Sequence, residues 1–106
     1  MSDRKKEFLE QFLFQMEELQ KKSDRNAVVY DEYGAYNKVI YIENVIVEAR
    51  ELIKHGENRI ALENMLENIN EVGIALDTDT ITLARKAFGE TISPDIEELL
   101  NAMTCK

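Results

Sequence analysis

The sequence predicts an all-α protein: a compact single-domain bundle of about five helices, with an irregular tyrosine-containing connection after helix one. Three observations carry that expectation. Apolar residues recur at +3 and +4 steps through most of the chain, which marks one face of a helix. Gly56, Gly73 and Gly89 close units of about 16 residues, the size of short helices joined by tight turns. Ser93-Pro94 is a strong helix start, with the Ser as N-cap and the Pro at the first helical position.

The elements follow in order. Helix one is expected over about Asp3 to Lys22. Phe8, Leu9, Phe12, Leu13, Met16 and Leu19 form its stripe, and Phe14 lies off it, at the edge or facing a partner. Ser23-Asp24-Arg25-Asn26 reads as a turn. Ala27-Val28-Val29-Tyr30 fits the start of a helix or a short strand, and Tyr33, Gly34 and Tyr36 follow. Residues 23–37 are therefore expected to be irregular or partly helical.

Helix two is expected over about Lys38 to His55. Its β-branched residues favour strands. However, Val39, Ile40, Tyr41 and Ile42 break strand alternation, whereas Val39, Ile42, Ile46, Ala49 and Ile53 keep helical spacing. Gly56 fits the position just past the helix end, where a left-handed residue is favoured. Helix three is expected over about Asn58 to Val72, with Leu62, Met65, Leu66, Ile69 and Val72 facing inward. Helix four starts at Asp77 or Thr78, both good caps, and buries Ile81, Ala84 and Phe88. Helix five follows Ser93 and turns Ile96, Leu99, Leu100 and Met103 to the core. Short connections imply neighbours packed antiparallel or at steep angles.

Composition bounds the function. The 106 residues fit one domain, 1–106, and bury roughly 65% of the surface the unfolded chain exposes. The apolar fraction of 44% is too high for a disordered chain. Lys and Arg number 13 against 21 Asp and Glu, a net charge of −8. That excess repels phosphates, so neither nucleic acid nor an anionic membrane surface is an expected partner. Glu7, Glu10, Gln11, Gln15, Glu17 and Glu18 interrupt any signal-peptide core, and no apolar run approaches the ~18 residues of a membrane span. The sequence reads as cytoplasmic.

Catalytic and metal-binding arrangements are sparse, and the expectation is a non-enzyme without cofactor or metal. Cys105 stands alone near the terminus and is read as incidental. His55, beside a helix end, reads as a partner of the helix dipole. Asp77-Thr78-Asp79 has the look of a metal loop but lacks the remaining ligands of one, and reads as a helix cap.

Charge placement says more. Residues 1–56 carry 11 acidic and 9 basic groups, net −2; residues 57–106 carry 10 and 4, net −6. Glu63, Glu67 and Glu71 repeat at i, i+4 and i+8 of helix three. Like charges at that spacing cost about 0.2–0.5 kcal/mol per pair in an isolated helix. The commoner reading is a solvated face, or one paired with Arg59, Arg85 or Lys86. The functional reading is a carboxylate ladder that meets a basic protein, with Asn64 and Asn68 adding hydrogen bonds.

Tyr30, Tyr33, Tyr36 and Tyr41 form a second set, with Asp31 and Glu32 inside it. Tyrosine suits interfaces because it combines area, few rotatable bonds and a polar tip. Tyr30 and Tyr41 flank apolar runs and are expected to close the core. Tyr33 and Tyr36, beside Gly34, fit core and interface equally.

Glu51 to Leu66 (Glu-Leu-Ile-Lys-His-Gly-Glu-Asn-Arg-Ile-Ala-Leu-Glu-Asn-Met-Leu) resembles the MafI-type immunity proteins, encoded beside polymorphic secreted toxins. Leu52, Ile53, Gly56, Glu57, Ala61, Leu62, Glu63 and Leu66 carry the likeness, which continues loosely through Leu76, Leu83 and Gly89. It covers about 40 residues and leaves residues 1–36 unmatched. The resemblance implies a mostly helical protein that protects its own cell from a cognate toxin. Such toxins are delivered by systems that include contact-dependent growth inhibition, and many are nucleases, often RNases. It implies no catalytic residues and carries over no toxin-contacting ones.

Two functional expectations result. The first is an immunity protein that neutralises the C-terminal domain of a cationic nuclease toxin through an acidic surface. Its candidate contacts are Glu63, Glu67, Glu71, Asn64, Asn68, Tyr33, Tyr36, Asp31 and Glu32. The second is an acidic helical adaptor or regulatory subunit that binds a host protein.

Overall fold

The computed structural model describes residues 3–103. Cys105 lies outside them. Five helices account for most of the chain: α1 (Asp3–Lys22), α2 (Lys38–Lys54), α3 (Asn58–Glu71), α4 (Thr78–Phe88) and α5 (Pro94–Met103). The protein is a compact, predominantly helical bundle carrying one small two-stranded sheet. No described helix is long and apolar enough to cross a membrane.

Helix α1 lies against α4 and α2, α2 packs along α3, and α5 closes the far side of α3. The expected stripes meet at the centre. Phe12, Leu13 and Met16 of α1 touch no solvent, nor do Ile42 of α2, Met65, Leu66 and Ile69 of α3, or Leu100 of α5. Burial of such side chains is worth about 1.5–3 kcal/mol each and is the main force holding the bundle. Phe14, off the stripe, is exposed.

Local chemistry ends the helices where the sequence indicated. Gly56 and Gly73 adopt positive φ of 80° and 77°, a region costly for any residue with a Cβ. After α2, the Gly56 and Glu57 N–H groups return to the Ile53 and Leu52 carbonyls. After α3, Gly73 and Ile74 return to Asn70 and Ile69 in the same way. Both are Schellman closures, which satisfy carbonyls the helix leaves orphaned. Asp77 Oδ1 accepts from Thr80 N–H at 2.8 Å, and Ser93 Oγ accepts from Ile96 N–H at 3.3 Å. The Thr80 hydroxyl and N–H hold the Asp77 carboxyl below its usual range. Asp77 is thus a cap, as its sequence context suggested.

The structure corrects the reading of residues 23–37. They form a β-hairpin, β1 (Val28–Asp31) antiparallel to β2 (Gly34–Asn37), rather than an irregular or partly helical connection. Val28 faces Asn37 and Asp31 faces Gly34. The turn lacks the usual Asn-Gly or Asp-Gly pair. Instead Asp31 Oδ1 accepts from the N–H groups of Tyr33, at 2.8 Å, and Gly34, at 3.1 Å. An Asp side chain that mimics a backbone turn takes over the usual role.

The hairpin joins α2 without a loop. Asn37 ends β2 and also caps α2, accepting from Ile40 N–H at 3.0 Å. Its amide donates to the Arg25 carbonyl at 2.7 Å, and the Lys38 N–H donates to the Ala27 carbonyl. One side chain therefore sets the hairpin against the bundle.

Candidate functional site

The tyrosines divide by position. Tyr33 sits in the hairpin turn and is 81% exposed. Tyr30 is 66% exposed, which overturns its expected place in the core. It stands on β1 beside Val29, and strand alternation sends Val29 inward and Tyr30 outward. Tyr36 and Tyr41 are half-buried and in contact, with ring centroids 5.4 Å apart and planes at 47°. Tyr41 packs at the core margin, as expected, and donates its hydroxyl to the Asn68 carbonyl at 3.1 Å. Tyr36 donates to Asp31 Oδ1 at 3.2 Å.

Carboxylates from three elements act on this pair. Asp31 of β1 and Glu71 of α3 act on both rings, and Glu48 of α2 acts on Tyr41. Every ionisable group acting on the two phenols is itself an acid. Partial desolvation, reinforced at Tyr36 by the Asp31 hydrogen bond, raises both phenol pKa values above the ordinary 10.0. A shallow groove of about 250 Å³ opens here between Tyr36, Tyr41, Asn44, Glu48 and Asn68. That volume is below the range of pockets that enclose a whole ligand and suits a partner's side chain.

The ladder on α3 is not uniform. Glu63, at its N-terminal end, pairs with Arg59 at 3.7 Å and is partly shielded. Glu67 and Glu71 are exposed. The other cations considered for pairing are engaged elsewhere. Arg85 holds Glu97 and Asn101, and Lys86 lies over the Phe8 ring at 5.4 Å. Asn64 and Asn68 are half-buried beside the ladder, and Asn68 contributes its carbonyl to Tyr41. Glu32 is exposed in the hairpin turn.

Glu71 is also placed against the helix dipole. The C-terminal end of a helix favours cations. Helices α1, α2 and α4 follow that rule with Lys21 and Lys22, Lys54, and Arg85 and Lys86 in their last turns. Helix α3, like α5, has no cation there, and it ends on Glu71 itself. At the other end Glu57 occupies the N-cap without a capping bond, and Arg59 takes the first turn, where an anion is favoured.

Among the expected contacts, the fold brings together Asp31, Tyr36 and Asn68, and Glu71 acts on the same phenols through its charge. It sets Glu63 apart through Arg59. Sequence reasoning missed Asn44 and Glu48 and assigned Tyr41 only a core role. The three lie at i, i+3 and i+7 on α2, a spacing that was visible as one helix face. His55, at the α2 C-terminus, lies 3.4 Å from Glu51, which gives it a local partner. Among the described residues no group of three His, Cys, Asp or Glu is placed to hold a metal ion. Comparison with known protein families, curated proteins and solved structures returns no match.

Proposed function

We propose that this protein is an immunity protein that binds and neutralises a basic nuclease toxin, acting in the cytoplasm through the acidic surface around Tyr36 and Tyr41. The observation that carries the reading is the groove where the paired Tyr36 and Tyr41 rings meet Glu48, with Asp31 bonded to the Tyr36 hydroxyl. The resemblance of residues 51–66 to MafI-type immunity proteins supports it from a second direction.

The physical reasoning starts from the toxin. A nuclease attracts phosphates, so its substrate cleft is basic. Carboxylates that occupy the place of phosphates are steered to that cleft, which raises the association rate and selects the partner. Two half-buried rings next to those carboxylates add apolar contact area with little entropy to lose. An interface of about 800 Å² per partner suffices for a stable complex.

Coexpression with the toxin domain encoded beside this gene tests the reading. Growth is rescued and the two proteins copurify if it holds. Continued toxicity, with this protein folded and present, rejects it.

A further inference from the structure

The outer edge of β1 is open. Bonded and non-bonded residue pairs alternate along an antiparallel ladder. The Lys38 N–H donates to the Ala27 carbonyl at 2.8 Å, so Ala27 and Lys38 are a bonded pair. The register then makes Val29 with Tyr36 a bonded pair as well. Val28 and Tyr30 must turn their N–H and C=O groups away from β2. Among the described residues no backbone bond from another element reaches them. A groove of about 420 Å³ separates this edge from the connection Val72–Ala75. Natural edge strands are blunted by Pro, by charge or by a covering element. Val28-Val29-Tyr30 has neither Pro nor charge, and the Val28 and Tyr30 side chains are 49% and 66% exposed.

We propose that this edge pairs with the same edge of a second copy of the chain, joining two hairpins into a four-stranded antiparallel sheet. The edge is complementary to itself. With the two-fold axis at Val29, Val28 of each copy faces Tyr30 of the other, and four backbone hydrogen bonds form between the outward groups. A shift of two residues either way sets one outward residue opposite a turn instead. On the exposed face each Tyr30 ring covers the other copy's Val28, an aromatic and β-branched pair that favours strand association.

The same register fixes what the acidic turn meets. It sets Asp31 beside Ala27, and Glu32 beside Asn26 with Arg25 next in line. The acidic turn of each hairpin thus lies near Arg25 of the other, with Asp24 at the same corner. Tyr36 lies with Val29 on the inner face of the hairpin, so the proposal does not rest on the toxin-binding reading.

Sedimentation velocity on the full chain, from about 10 μM to about 1 mM, tests the pairing over the range of weak association. The mass is expected to rise with concentration from 12.3 kDa towards twice that value. Val28→Lys with Tyr30→Lys sets like charges opposite each other and should weaken dimerisation at least about tenfold. Val28→Glu with Tyr30→Lys sets opposite charges in the same places and should retain it. Unchanged far-UV circular dichroism checks the fold of both variants. A wild type that stays monomeric throughout overturns the proposal, as does a Lys/Lys variant that dimerises like the wild type. Amide exchange of the wild type gives a reading that needs no variant. The Val28 and Tyr30 N–H groups should gain protection as concentration rises, and a lack of any gain also rejects the pairing.

Discussion

The two ends of α3 carry opposite chemistry. At its start Arg59 pairs with Glu63, and Lys5 and Lys6 border a groove with Asn58 and Arg59. At its finish Glu71 adds negative charge to the surroundings of Tyr36 and Tyr41, with no cation in the last turn. The regular spacing of Glu63, Glu67 and Glu71 suggests a single feature. The fold divides it into a neutralised start and an uncompensated end. A carboxylate at a helix C-terminus is unfavourable by about 0.3–1 kcal/mol, and no cation in the last turn of α3 offsets this one. A locally unfavourable charge beside half-buried rings is a stronger pointer to an interface than the spacing alone.

Substitutions at the two ends should therefore behave differently. The largest effect is expected from Glu67→Lys with Glu71→Lys. Toxin affinity, measured by calorimetry, should fall at least about tenfold, or about 1.4 kcal/mol. Glu63→Gln at the other end should change affinity little and stability by under about 1 kcal/mol, because exposed ion pairs are weak. Equal losses from both changes would erase the distinction between the ends.

Asn37→Ala probes how the hairpin is held at the acidic end. It removes the α2 cap and the bond to Arg25, and urea unfolding should show a loss of about 1 kcal/mol. Glu71→Lys alone should raise folding stability by about 0.3–1 kcal/mol while it weakens toxin binding. Thermal melts give the first quantity and calorimetry the second. A loss of both would show that Glu71 supports the fold instead.

The smallest effect is electrostatic and appears at alkaline pH. Tyr36 and Tyr41 have phenol pKa values raised above 10.0 in the folded state. A raised folded value means that their contribution to stability is present below pH 10 and is lost as pH rises through those values. Ultraviolet titration should find two phenols that ionise late. Asp31→Asn keeps the hydrogen-bond acceptor and removes the charge, so it should bring Tyr36 back towards 10.0.

Much of the bundle was legible in the residues. Helix stripes, the left-handed Gly56 and Gly73, and the Asp77 and Ser93 caps all rest on contacts within about four residues, so the order of side chains is enough to find them. The hairpin was not legible, because Glu32-Tyr33 is not a usual turn pair and Asp31 supplies the missing geometry. The candidate site was legible in part. Asp31, Tyr36, Asn68 and Glu71 were named, but nothing in the order of residues showed that they belong to one region.

Local periodicity and capping thus define five helices and an acidic second half. Which carboxylates stay unpaired, which tyrosines become surface and which edge of β1 stays open were settled by packing. The physical reason is range. A cap or a stripe is satisfied within one or two turns, whereas the pairing of Glu63, the company of Glu71 and the outward turn of Tyr30 depend on segments brought together only when the core closes.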